Sequence, residues 1–92
     1  MNTKLVEIKD VQNADGDPLD MSDFRREYIG LRGELQTNAT DPERKGRMCF
    51  TFVDAKDGAK YEIRSSRGYI LEQNPSMLIF QTKNARYIFT LS

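Results

Sequence analysis

The chain has no histidine and no tryptophan, one cysteine (Cys49), three prolines and no long apolar run. Each shortage removes a class of function. Without histidine there is no imidazole to serve as a base near neutrality, and no Ser-His or Cys-His couple can form. The commonest zinc ligand is missing as well. A single cysteine cannot close an intrachain disulfide or build a thiolate cluster, and its isolation fits a reducing compartment. No stretch approaches the roughly 18 apolar residues that span a bilayer. The opening residues, MNTKLVEIKD, hold neither an apolar core segment nor a small-residue cleavage site, which argues against a secretory signal. A cytoplasmic protein without a membrane partner is the simplest expectation. Nothing here predicts an enzyme, a cofactor, a metal or a small-molecule substrate.

What is present suffices for one β domain. Ninety-two residues make a single domain, 1–92, that buries roughly 60–70% of its unfolded surface. The apolar fraction is only 38%, but there are nine aromatic residues, and seven of them follow residue 46. Net charge is zero, yet it is unevenly spread: residues 1–46 carry ten acids and seven bases, residues 47–92 four acids and seven bases. The expected organisation is an acidic strand–helix–strand part followed by a basic β-meander. Such an imbalance can mark a basic face for nucleic acid, but a solvated surface of mixed charge is the preferred reading of so small an imbalance.

Along the first half, Val6 and Ile8 alternate with Leu5, Glu7 and Lys9, which predicts a half-exposed strand over 4–9, placed at a sheet edge. Residues 10–20 form a turn-rich loop. Ser22 as N-cap and Asp23 in the first turn predict a short helix over 23–29, with Phe24 and Tyr28 sharing one face. Ile29, Leu31, Gly33 and Leu35 continue at period two as a strand, in which Gly33 marks a bulge or a close backbone approach. Residues 37–46, with Pro42 and Gly46, read as an exposed loop.

The second half alternates more clearly. Met48, Phe50 and Phe52 face one way, and Cys49, Thr51 and Val53 the other. Asp57-Gly58 supplies a positive-φ hairpin position. Tyr61 and Ile63 point inward between Lys60, Glu62 and Arg64. A corner at Ser66–Gly68 leads into residues 69–71, and Asn74-Pro75-Ser76 forms a turn. The apolar run 77–80 is covered on both faces. A last hairpin at 83–85, with Asn84 in the αL region, leads into 86–91. The sum is mainly β: about six strands and one short helix, folded as a small antiparallel β-barrel of the SH3-like or split type, with the helix over an open end.

Few residues suggest chemistry. Asn13, Asp15, Asp17 and Asp20 look like a calcium loop, but with Gly16 in the sixth position Val11 would stand first and Ser22 twelfth, where carboxylates are needed. An ordinary Asx-rich loop is expected instead. Cys49 lies in a strand without a base, so it reads as a packed structural thiol. Arg64, Ser65, Ser66 and Arg67 cluster at a strand corner, where hydroxyls and guanidinium groups can hold a phosphate or carboxylate.

The broader constellation is Lys60, Arg64, Arg67, Lys83 and Arg86, interleaved with Tyr61, Tyr69 and Tyr87. Small barrels bind single strands with basic grooves and stacking rings, whereas the plain structural reading puts the rings in the core. The candidate binding surface is Arg64, Ser66, Arg67, Tyr69, Lys83 and Arg86. It serves either a protein partner, which is the first expectation, or nucleic acid. Self-association through the strand at 4–9 is a further route, with Met48, Met77 and Tyr69 as an apolar patch.

The run CFTFVDAKDGAKYEIRSSRGYI, with QTKNARYIF after it, resembles small β proteins of no established activity carried by Gram-positive conjugative elements. The resemblance covers about half of the chain and implies a mobile-element context without catalysis.

Overall fold

Period-two alternation produces seven strands, one more than the sequence suggests: β1 (Thr3–Gln12), β2 (Arg32–Thr37), β3 (Met48–Val53), β4 (Lys60–Arg64), β5 (Gly68–Asn74), β6 (Met77–Thr82) and β7 (Arg86–Leu91). The computed structural model describes residues 3–39 and 44–91, so Pro42 and part of the expected 37–46 loop lie outside the described residues. All strands join one antiparallel sheet in the order β4-β3-β2-β1-β7-β6-β5. The chain therefore draws two meanders, β1 to β4 and β5 to β7, joined along the β1–β7 pairing.

Residues directly opposite across an antiparallel ladder share a face. Leu35, Phe50 and Ile63 oppose one another across β2, β3 and β4. Ile8, Phe89 and Leu78 do so across β1, β7 and β6, and Tyr87, Phe80 and Ile70 across β7, β6 and β5. These rows make up the core, in which Ile8, Phe50, Phe80 and Phe89 are fully buried. The rings of Phe50 and Phe89 stand 6.1 Å apart although β2 and β1 lie between their strands, so the sheet curls onto its own apolar face. Register shifts at Lys9 in β1 and Leu71 in β5 supply two bulges, which sharpen twist and bend.

The sheet is not closed into a barrel. Its edges are β4 and β5, which approach only at the Ser65–Ser66–Arg67 link. There Gly46 and Gly68 exchange backbone hydrogen bonds of 2.8 and 2.7 Å, and the Ser65 amide donates to the Met48 carbonyl at 3.0 Å. Two glycines permit close packing of neighbouring strands. A Cβ on Gly68 would lie 2.0 Å from the Gln81 carbonyl oxygen, and one on Gly33 2.1 Å from that of Thr51. The close approach expected at Gly33 is thus present.

Several local expectations are corrected. Strand β1 is central, paired with β2 on one side and β7 on the other, with Val6 and Ile8 buried opposite Leu91 and Phe89; it is not an edge. The helix is a 3₁₀ helix, Phe24–Tyr28, capped by Asp23 rather than Ser22, since the Asp23 carboxylate accepts from the Arg25 amide. Tyr28 packs against the core while Phe24 stays 68% exposed. Asn84 is not in the αL region, as no described non-glycine residue has positive φ. The β6–β7 turn is instead built on the Thr82 hydroxyl, which accepts from the Asn84 and Ala85 amides. Gly58 does supply the positive-φ position at the β3–β4 hairpin (φ 70°). Met48 is buried, so it cannot belong to a surface patch. No described helix is long and apolar enough to cross a membrane.

Candidate binding surface

The six candidate residues divide between two neighbouring grooves that meet at Thr82. Arg67, Tyr69, Lys83 and Arg86 line one of them, about 460 Å³ in volume, together with Lys45. Arg64 and Ser66 line the other, about 590 Å³, beside the 3₁₀ helix. The corner cluster read from the sequence is thereby separated, with Arg64 on one side and Arg67 on the other.

The first groove is built on a cross-strand row. Tyr69, Gln81, Arg86 and Gln12 stand opposite one another on the outer face of β5, β6, β7 and β1. The loop at 13–17 folds over this row. It is an Asx loop, as expected: Asn13 Oδ1 accepts from the Asp15 and Asp17 amides, and Gly16 takes φ 88°. Its cover makes Gln81 a buried polar residue. The Gln81 amide nitrogen donates to the carbonyls of Ala14 and Thr82, each at 3.0 Å, and its Oε1 accepts from Arg86 Nε at 2.7 Å. Arg86 is also packed on Gly16, where a Cβ would lie 2.6 Å from Arg86 Nη1.

The electrostatics of this groove are one-sided. Lys45, Arg67, Lys83 and Arg86 supply four cations, and no carboxylate of the described residues lines it. None of the four enters an ion pair among the described residues, where the pairs are Arg25–Asp23, Arg32–Glu7 and Arg64–Glu62. Asp15 and Asp17 share the covering loop but do not line the groove.

The second groove is already internally satisfied. Arg64 is held by Glu62, two residues back on the same face of β4. Ser65 is buried, its hydroxyl donating to the Ser66 carbonyl at 2.7 Å and accepting from the Met48 amide at 3.0 Å. Arg25 bonds both Asp23 oxygens and donates to the Asn84 carbonyl at 3.0 Å. These bonds from the Arg25 guanidinium, followed by the one from its amide, hold the Asp23 carboxyl down at about 2.

The tyrosines do not form a row of exposed rings beside the arginines. Tyr87 is buried at 7% exposure, and burial raises its hydroxyl pKa. Tyr69 is half-buried at the first groove. Tyr61 is 44% exposed, yet it lies on the far strand β4, stacked on Phe52 at 5.8 Å with its hydroxyl donating to Asp57 at 2.7 Å. Cys49 is half-buried opposite Arg64, and burial, then the neighbouring Glu62, raises its thiol pKa. That environment disfavours a reactive thiolate.

Two groove residues escape the sequence reading. Lys45 belongs to a segment read as plain loop; its only signal is the next residue, Gly46, which pins the corner. Gln81 follows an apolar run at an outward position, where a polar residue carries no sign of burial. No family model, curated protein or solved structure matches the chain.

Proposed function

We propose that the protein is a non-enzymatic interaction module that holds an acidic segment of a protein partner in the groove of Lys45, Arg67, Lys83 and Arg86. One observation carries this reading: four cations line one groove and, among the described residues, it has neither a lining carboxylate nor an ion pair to any of the four. Like charges brought together repel, and opposite charges from a partner relieve that cost. We read the curled sheet as a split barrel whose corner, at Ser65–Gly68, sets one end of the groove.

Side chains rather than a strand edge support the docking. Strand β1 is paired on both sides and offers no edge. The true edges are blunted: β4 carries Lys60, Glu62 and Arg64 outward, and β5 is bulged at Leu71 and pinned by Gly46. Nucleic acid is the competing reading, favoured by the same cations. It lacks the stacking rings that single-strand binding draws on, because only Tyr69 lies at the groove.

Fluorescence anisotropy with a labelled oligoglutamate and a labelled oligothymidylate of equal charge separates the two. The expected result is weak, salt-sensitive binding of the peptide, abolished by the double change Arg67→Glu, Lys83→Glu. Tighter binding of the oligonucleotide would overturn the protein reading in favour of nucleic acid. Binding of neither at low salt would remove the groove as a site.

A further inference from the structure

We infer that Arg86 is the specificity-determining contact of this groove, gripping a partner carboxylate through a guanidinium fork whose orientation is set by the buried side chain of Gln81. The inference rests on the acidic-segment reading and says which of the four cations reads shape rather than charge alone.

The Gln81 amide is held in one orientation. Its two ends are hard to tell apart by shape, and the hydrogen-bond network assigns them. The carbonyls of Ala14 and Thr82 can only accept, so the nitrogen must face them. The oxygen is thereby turned toward Arg86, where it accepts from Nε at 2.7 Å. Gln81 cannot rotate away without leaving buried polar groups unpaired, which costs more than an exposed hydrogen bond is worth.

Arg86 inherits that rigidity. Its Nε–H is committed to Gln81, and Nη1 rests against Gly16, the one kind of residue that leaves room there and tolerates φ 88°. The N–H groups on Nη1 and Nη2 make no hydrogen bond with described residues, and the side chain lines the groove. A planar guanidinium with that edge open matches the two oxygens of a carboxylate. Lys45, Arg67 and Lys83 are exposed on long stems and have no comparable fixing partner among the described residues. They raise the local positive potential, and Arg86 supplies geometry. Gln81 is a positioning residue: it touches Arg86, not the ligand.

The test is an NMR titration of ¹⁵N-labelled full chain with oligoglutamate at low salt. In the unliganded protein the Arg86 Nε–H signal is expected to be resolved and slow to exchange, and to shift as peptide is added. Arg86→Lys keeps the charge but loses the fork, so affinity should fall about tenfold, the difference between a bidentate and a single charged contact. Arg67→Lys, which exchanges one exposed cation for another, should weaken binding less than Arg86→Lys does. Gln81→Met should abolish the slow exchange of Nε–H and weaken binding to the level of Arg86→Lys. Equal affinity of Arg86→Lys and the unmodified chain would overturn the inference while leaving the acidic-segment reading intact. An Arg86 Nε–H that exchanges as fast as those of exposed arginines would overturn the fixed fork whatever the binding. Failure of the unmodified chain to bind the peptide would overturn the acidic-segment reading and this inference with it.

Discussion

Replacing Gly68 with alanine tests how tightly the open corner of the sheet is packed. The added Cβ would stand 2.0 Å from the Gln81 carbonyl oxygen, 2.9 Å from its carbon and 3.1 Å from Phe80 Cε1. The first two atoms belong to the backbone of β6, directly across the ladder, where Gly68 opposes Thr82. No side chain can swing aside to relieve such a contact; β5 and β6 must part. Backbone torsion is not the difficulty, because the positive-φ glycines are Gly16, Gly30 and Gly58. Two opposing terms set the magnitude. Alanine restricts the unfolded chain and favours folding by about 0.4–1 kcal/mol. Overpacking against rigid backbone costs about 1–3 kcal/mol, or more where nothing yields. The net expectation is a loss of about 2 kcal/mol, close to 1 M in urea midpoint with the slope unchanged. In thermal unfolding that corresponds to a drop of roughly 8–16 °C for a domain of this size. Gly58→Ala provides the contrast, since nothing lies within 4 Å of its Cβ and only the left-handed backbone opposes it. It should cost less than Gly68→Ala. A Gly68→Ala chain as stable as the unmodified one would refute the close β5–β6 approach and the corner built on it.

Two further outcomes follow from the titrating groups. The Asp23 carboxyl, held at about 2 against an ordinary 3.8, should titrate in carboxyl-carbon NMR with a midpoint near 2 and return upward in Arg25→Gln. A depressed folded value stabilises the fold fully above the unfolded value, so the contribution of Asp23 is present above pH 3.8 and lost as pH falls through about 2. Cys49, with its thiol pushed up by burial and then by Glu62, should react with iodoacetamide more slowly at neutral pH than the same thiol in urea. Equal rates in the native and unfolded chains would contradict that environment.

The strands were legible because alternation is a local property: Phe50 and Phe89 announce their faces to any reader of period two. The position of β1 was not legible from its own residues. Leu5, Glu7 and Lys9 give it a polar outward side, which an edge and the centre of a curled sheet share. Its true place depends on β7, whose partners are set by core rows assembled from both halves of the chain. The 3₁₀ helix was recognised as a helical segment but not by type, since its backbone bonds span three residues, as from the Arg26 amide to the Asp23 carbonyl, and nothing in the sequence pattern sets that spacing. The cations of the groove were visible as residue types; their grouping was not. Arg64 and Arg67 are three apart in sequence, yet Glu62 pairs with one while the other lines a groove with Lys45. Gln81 was invisible because its burial comes from a loop more than sixty residues away, through a hydrogen bond to Ala14.

The central place of β1 also sets which pairing spans the most chain. Strands β2, β3 and β4 pair with sequence neighbours, as do β5, β6 and β7, so each half-sheet can zip locally through short hairpins. Joining them requires residues 6–12 to meet residues 86–91, the longest-range contact in the sheet. Val6, Ile8 and Val11 of β1 belong to a core that β7 completes with Tyr87 and Phe89. Loop-closure entropy must be met before that seam yields any burial, which makes it the costliest pairing in the sheet to begin. The sheet is thus two locally paired panels joined along a single long-range seam.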